Sequence, residues 1–198
     1  MAADKSHEAP TRDRILDTSG QLFRRHGYAG TGIKAILAGS DAPYGSLYHH
    51  FPGGKEELGV AAIRAGGAFY RELVESFFGP DVDVVTATEE FFAGAAVVLE
   101  QTDFADACPI ATVALEVAST SEPMRVAAAE AFESWLVVLE DRLVAEGVTR
   151  DEARDVAIEC FCAVEGAFLL CRTTRSTSAL EVMGRAMVAR ISRVLNVV

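Results

Sequence analysis

The residues with the most chemistry in this 198-residue chain stand in one octet, Tyr44-Gly45-Ser46-Leu47-Tyr48-His49-His50-Phe51. Hydroxyl groups and imidazole N–H groups hydrogen-bond to phosphate oxygens and to base edges. As a helix, the octet places Leu47 and Phe51 on one face at i, i+4, where both pack inward. Tyr44, Ser46, Tyr48 and His49 are left on or near the outer side. Gly45 has no side chain, so a nucleic-acid backbone can come close to it. Lys55 opens the next segment, and a helix N-terminus with a lysine attracts phosphate. Thr31 holds the same kind of place on an earlier short helix. The candidate DNA-binding set is Thr31, Lys34, Tyr44, Gly45, Ser46, Tyr48, His49 and Lys55.

Other reactive side chains form no recognisable centre. His49 and His50 are adjacent, and adjacent helical residues do not face one another, so they make a poor metal pair. Gly27-x-x-Gly30-x-Gly32 has no strand before it. Gly53-Gly54-Lys55-Glu56 lacks the upstream glycine and the following Ser/Thr of a phosphate-binding loop. No Ser/His/Asp set stands in a catalytic context, and all four histidines (His7, His26, His49, His50) lie in the first 55 residues. The reading is a non-enzyme with no cofactor and no metal. The four cysteines, Cys108, Cys160, Cys162 and Cys171, form no CxxC pair and sit among apolar residues. They read as buried, reduced thiols in a cytoplasmic protein. A cysteine-based redox sensor is the alternative. An enzyme or carrier built on a helical bundle is a further one.

Phe91, Phe92, Phe104, Phe132, Trp135, Phe161 and Phe168 are candidates to line a ligand cavity, with plain core packing as the competing reading. Glu165 is more pointed. It stands in the apolar stretch 160–171, where an isolated carboxylate is costly to bury. It is expected to bond a ligand, to pair with Arg172 or Arg125, or to reach solvent.

The elements that position these residues are helical throughout. Strand signals are scarce, and apolar residues recur at helical spacing. The expectation is an all-α fold of about nine helices, over 11–26, 31–40, 44–50, 55–78, 84–101, 109–119, 123–146, 150–172 and 178–196. Gly27 suits a helix C-terminus, Thr31 a cap and Pro43 a first turn. Two short helices joined by a tight turn after a longer one describe a helix-turn-helix. The division expected is a flexible tail 1–10, a helix-turn-helix domain 11–54, a connector helix 55–78, and a ligand-binding and dimerisation bundle 79–198. Gly66-Gly67 inside the connector reads either as close helix packing against the first domain or as a compliant point in a lever linking the pocket to the recognition helix. No apolar stretch reaches the ~18–20 residues of a membrane span, so no membrane partner is expected.

Net charge is −11, which taken whole argues against nucleic acid. It is unevenly spread. Residues 1–55 hold 7 Lys+Arg and 5 Asp+Glu, and residues 56–198 hold 11 and 24. The part bearing the octet is mildly basic, and the bundle carries the acidic excess.

The stretch Gly27-Tyr28-Ala29-Gly30-Thr31-Gly32-Ile33-Lys34-Ala35-Ile36, then Gly45–Phe51 and Lys55-Glu56-Glu57-Leu58, resembles the DNA-binding domain of TetR-family transcriptional regulators over residues 11–58. Ala42-Pro43-Tyr44-Gly45, Pro52-Gly53-Gly54-Lys55 and Cys108-Pro109-Ile110-Ala111 resemble the LmrA/YxaF-like branch. The resemblance implies a homodimer on a palindromic double-stranded operator, released when a small-molecule inducer enters the bundle. It implies repression rather than activation. Three positions depart from the family pattern. Asp41 replaces a turn glycine, which aspartate tolerates. Pro43 replaces a capping serine, and Tyr44 replaces a basic residue. The dimer interface is expected on the apolar stripes of the last two helices, at Val164, Phe168, Leu169, Leu180, Met187 and Ile191, as a four-helix bundle of two chains.

Overall fold

The computed structural model describes residues 9–196; most of the expected tail, 1–10, lies outside them. Among the described residues all regular structure is helical. The elements are α1 (Thr11–Gly30), α2 (Ile33–Gly39), α3 (Ser46–His50), α4 (Gly54–Phe77), α5 (Val84–Gln101), α6 (Pro109–Val117), α7 (Glu122–Ala145), α8 (Arg150–Thr174) and α9 (Ser178–Val194).

The helix starts follow from their capping residues. Asp83 accepts a hydrogen bond from the Thr86 N–H at 2.8 Å, Ser121 from Met124 at 3.4 Å, and Thr149 from Glu152 at 3.4 Å. Pro109 and Pro123 stand in first turns, where the missing N–H is no loss. Helix α1 runs to Gly30 rather than to 26, with Gly27 a break inside it, and two helix starts differ from the sequence reading by more than a residue. Helix α3 begins at Ser46 rather than Tyr44, with Gly45 as its cap. Thr31 does not cap α2, whose cap is Gly32. The Thr31 hydroxyl instead donates backwards, to the carbonyls of Gly27 (2.7 Å) and Leu22 (3.3 Å), and closes the end of α1.

Helices α1–α3 form a small unit around Ile15, Phe23, Ile36, Leu47 and Phe51, all buried. Arg14 fixes its turn by donating to the carbonyls of Ser40 (3.0 Å) and Asp41 (3.1 Å). Asp41 takes φ 46°, the left-handed backbone its turn position requires. Helix α4 leaves this unit and lies along α7; α5 packs on α9, α7 on α8, α8 on α9, and α1 on both α6 and α4. Gly67 is a packing glycine. A Cβ there would stand 2.7 Å from the Ala131 Cβ of α7, and its carbonyl accepts from Trp135 Nε1 at 2.8 Å. Of the two readings of Gly66-Gly67 these contacts match close helix packing, but the partners are α6 and α7 of the bundle and not the first domain. Glu140, buried in α7, binds Arg150 and Arg154 of α8 and ties that pair of helices together. No helix is long and apolar enough to cross a membrane among the described residues.

Candidate nucleic-acid interface and ligand cavity

The outer face of α3 is built from below. Leu47 and Phe51 are buried to 0% and 1% exposure, and they anchor a five-residue helix too short to stand alone. Their burial turns Tyr44 and Tyr48 outward, at 68% and 50% exposure. Gly45 and His49 are exposed with them, and Ser46 is half-buried. Lys34, exposed on α2, lines a shallow surface groove with Tyr44. All six keep part of their surface open to solvent.

The other two candidates are placed differently. Thr31 is 2% exposed, and its hydroxyl is spent on the α1 carbonyls, so it presents no free donor to DNA. Lys55 points its ammonium at the Tyr28 carbonyl (2.6 Å) and sits 4.1 Å from the centre of the Tyr28 ring. Burial lowers its pKa, and the nearby Glu116 carboxylate opposes that shift. Lys55 therefore clamps α4 onto the end of α1. The N-terminus of α4 is otherwise acidic, with Glu57 accepting from the Gly53 N–H at 2.6 Å.

The same junction is held from the bundle side. Gly27 interrupts α1 with φ 74° and ψ 171°. This lets the N–H groups of Tyr28 and Ala29 turn toward Glu116 of α6, which accepts from both, at 3.0 and 2.7 Å. A Cβ at Gly27 would lie 1.9 Å from the Glu116 Oε1. The loop leading to α2 and α3 is thus gripped by α4 through Lys55 and by α6 through Glu116.

At the other end of α6 lies a cavity of about 210 Å³. Phe91, Trp135, Phe161, Phe168 and Glu165 line it, as the sequence suggested. Three of the expected aromatics do not. Phe92 is buried against Gly184 of α9. Phe104 stands in the loop before α6, where its carbonyl accepts from Arg172. Phe132 lines a shallower neighbouring groove with Leu115 and Leu169. Glu165 pairs with neither Arg172 nor Arg125, which bind the loop carbonyls and Glu122 instead. It faces Cys108, and burial pushes its pKa up.

Sequence reasoning missed the polar end of this cavity. Arg24, on α1, forms part of its wall together with Tyr70 and Asp106. Asp106 is 6% exposed and binds Arg24 at 2.8 Å and Arg25 at 3.0 Å. The signal was a lone aspartate in the apolar run Phe104-Ala105-Asp106-Ala107-Cys108, which needs a cation wherever it is buried.

The expected dimer set needs correction on the same grounds. Val164, Leu180, Met187 and Ile191 are buried inside their own chain, because α9 packs on α5 and α8. Phe168 turns toward the cavity. Only Leu169, 63% exposed, remains on the surface, and the other exposed apolar residues of α8 and α9 are Ile158, Leu170 and Val182. Cys162 is also exposed, against the expectation of four buried thiols.

Comparison with known proteins agrees with this anatomy. Residues 15–62 match the N-terminal domain of the bacterial regulatory proteins of the tetR family. Residues 84–186 match the C-terminal domain described as transcriptional regulator LmrA/YxaF-like. The chain is 33% identical to the HTH-type transcriptional regulator YxaF of Bacillus subtilis over 86% of its own length and 89% of that protein's. It is 31% identical to the HTH-type transcriptional regulator LmrA of the same organism, over 86% and 90%. Among solved structures, a TetR transcriptional regulator from Legionella pneumophila superposes with TM-score 0.81 at 22% identity, covering 92% of this chain and 97% of that one. With the helix-turn-helix at one end and this bundle at the other, the chain belongs to the TetR family of DNA-binding transcriptional regulators, with an LmrA/YxaF-like C-terminal domain.

Proposed function

We propose that the chain is a homodimeric repressor of a palindromic operator, released when a small apolar ligand enters the cavity beside α6. The observation that carries the reading is the outward face of α3, with Tyr44, Ser46, Tyr48 and His49 raised on buried Leu47 and Phe51. Tyr48 and Tyr44 leave large apolar ring faces in water, and their hydroxyls suit phosphates and base edges. Lys34 adds a cation beside them. The functional division is residues 11–54 for DNA, 55–78 as connector and 79–198 for ligand and dimer.

A second copy is expected to cover the stripe Ile158, Cys162, Leu169 and Leu170 on α8, with Val182 on α9. Two reading helices then meet half-sites about one turn, ~34–36 Å, apart. One helix per copy gives few contacts, so affinity needs both. The redox alternative has little support in the buried thiols and rests on the exposed Cys162. Burial raises the pKa of Cys108 and pushes that of Cys160 up to about 12, which suppresses the reactive thiolate.

A gel shift on DNA flanking the chain's own gene tests this reading. Wild type is expected to bind as a dimer, and Tyr48→Ala to bind at least tenfold more weakly with unchanged thermal stability. Lys55→Ala is expected to lose stability as well, because Lys55 clamps Tyr28. A Tyr48→Ala protein with wild-type affinity, or a monomeric mass at micromolar concentration, would overturn it.

A further inference from the structure

The cavity is apolar along most of its length, with Leu73, Val74, Phe77, Phe91 and Val98 among its walls. Its polar groups gather where α1 meets the segment before α6, at Arg24, Tyr70, Asp106, Cys108 and Glu165. One of them is incomplete. The Arg24 Nε is buried and finds no acceptor in the protein, although the same guanidinium binds Asp106 through Nη2. Buried donors nearly always have a partner, so this one points to an acceptor that arrives with a ligand.

We infer that the cavity takes an apolar molecule with an anionic oxygen head, of the carboxylate or phenolate class, which accepts from the Arg24 Nε–H. This rests on the reading of the cavity as the ligand site. The local charge supports an anion. Arg24 and Arg25 are two cations, and Asp106 offsets one of them with both its oxygens engaged. Burial raises the pKa of Glu165 and shifts it toward its neutral acid form, which weakens its hold on the other. In that form it is a second donor to the same head, and beside it stands the Tyr70 hydroxyl, whose pKa burial raises against the opposing pull of Arg24. A cationic head would meet the Arg24 guanidinium, and the carboxylate beside it, Asp106, is already engaged by Arg24 and Arg25. The consequence reaches DNA directly, since Arg24 belongs to α1. A head bound to Arg24 competes with Asp106 for the guanidinium and alters how α1 is held against the bundle.

Trp135 is the only tryptophan of the chain and lies in the cavity wall, so its emission reports occupancy. Decanoate, 1-decanol and decylammonium, each below its micelle concentration, share one body and differ in the head. Decanoate is expected to bind at least about tenfold more tightly than 1-decanol, with decylammonium weakest. Arg24→Lys keeps a cation for Asp106 but removes Nε. It is expected to bring decanoate within about threefold of 1-decanol and to leave 1-decanol unchanged. Arg24→Met is expected to do the same, and Arg24→Lys covers the case in which it does not fold. Equal binding of decanoate and 1-decanol by wild type, tighter binding of decylammonium, or a preference that survives Arg24→Lys overturns the anionic head and leaves the ligand site standing. No response of Trp135 to any of the three overturns both.

Discussion

Replacing Gly27 with alanine tests how the bundle holds the reading unit. The backbone there, φ 74° and ψ 171°, lies in a region that is essentially glycine's own. An alanine in it costs about 1–3 kcal/mol. The new Cβ would also stand 1.9 Å from Glu116 Oε1 and 3.0 Å from its Cδ, so the carboxylate must withdraw. That removes the bonds to the Tyr28 and Ala29 N–H groups. Each is a bond to a charged acceptor, worth about 1.5 kcal/mol at the low end because the site is partly open to water. Gly27→Ala should therefore lose about 4–6 kcal/mol, a large part of a typical domain's stability.

A double-mutant cycle separates the two terms. In a Glu116→Ala background the bonds are already gone, and Gly27→Ala should cost only the backbone term, about 1–3 kcal/mol. The coupling is then about 3 kcal/mol. Urea unfolding at one fixed protein concentration, followed by circular dichroism, measures it. Gly30→Ala is the control, since a Cβ there meets only the His26 Cβ at 3.8 Å, and it should be neutral or slightly stabilising. A Gly27→Ala cost below about 1 kcal/mol, or the same cost with and without Glu116, would refute the reasoning.

Two further outcomes follow from the buried ionisable groups. Glu165 has its pKa raised in the folded chain, so its stabilising contribution is complete below the unfolded value, about 4.3, and is lost as pH rises through the folded one. The stability of wild type minus that of Glu165→Gln should fall as pH rises above about 4, and a flat difference would contradict the burial. Of the four thiols only Cys162 is exposed. A disulfide reagent should reach it rapidly in dilute protein and more slowly as the proposed dimer forms, while the other three wait for unfolding. Rapid reaction of two thiols in the native chain would contradict the packing of Cys108, Cys160 and Cys171.

Much of the fold was legible because its signals are local. Proline, glycine and capping hydroxyls mark helix ends within a few residues, and the Leu47/Phe51 pair orients α3 by periodicity alone. What was misread depends on partners far away in sequence. The stripe Leu180, Met187, Ile191 is visibly apolar, yet periodicity cannot say whether its cover is α5 of the same chain or a second copy. Thr31 has a capping side chain, but which way its hydroxyl donates depends on the break at Gly27. Arg24 with Asp106, and Tyr28 with Glu116, pair across 82 and 88 positions respectively, and no local pattern announces them.

These distant pairs also bound how a ligand can act. Moving a regulator from 99% bound-competent to 1% takes about 5.5 kcal/mol of differential ligand affinity. A ligand that only fills apolar space fills it in both shapes and shifts nothing. The discrimination must come from contacts that differ between shapes. Two contacts placed to do this flank α6 in the proposed mechanism: Asp106 on Arg24 and Arg25 before its start, and Glu116 on the α1 loop near its end. Each is a charged, partly buried pairing worth a few kcal/mol. Together they match the size of the shift required, and neither alone does. A head at Arg24 weakens the first, and any displacement of α6 that follows strains the second. A chain in which Glu116→Ala has already released the second grip should thus need less ligand to leave the operator, while its ligand affinity measured through Trp135 rises.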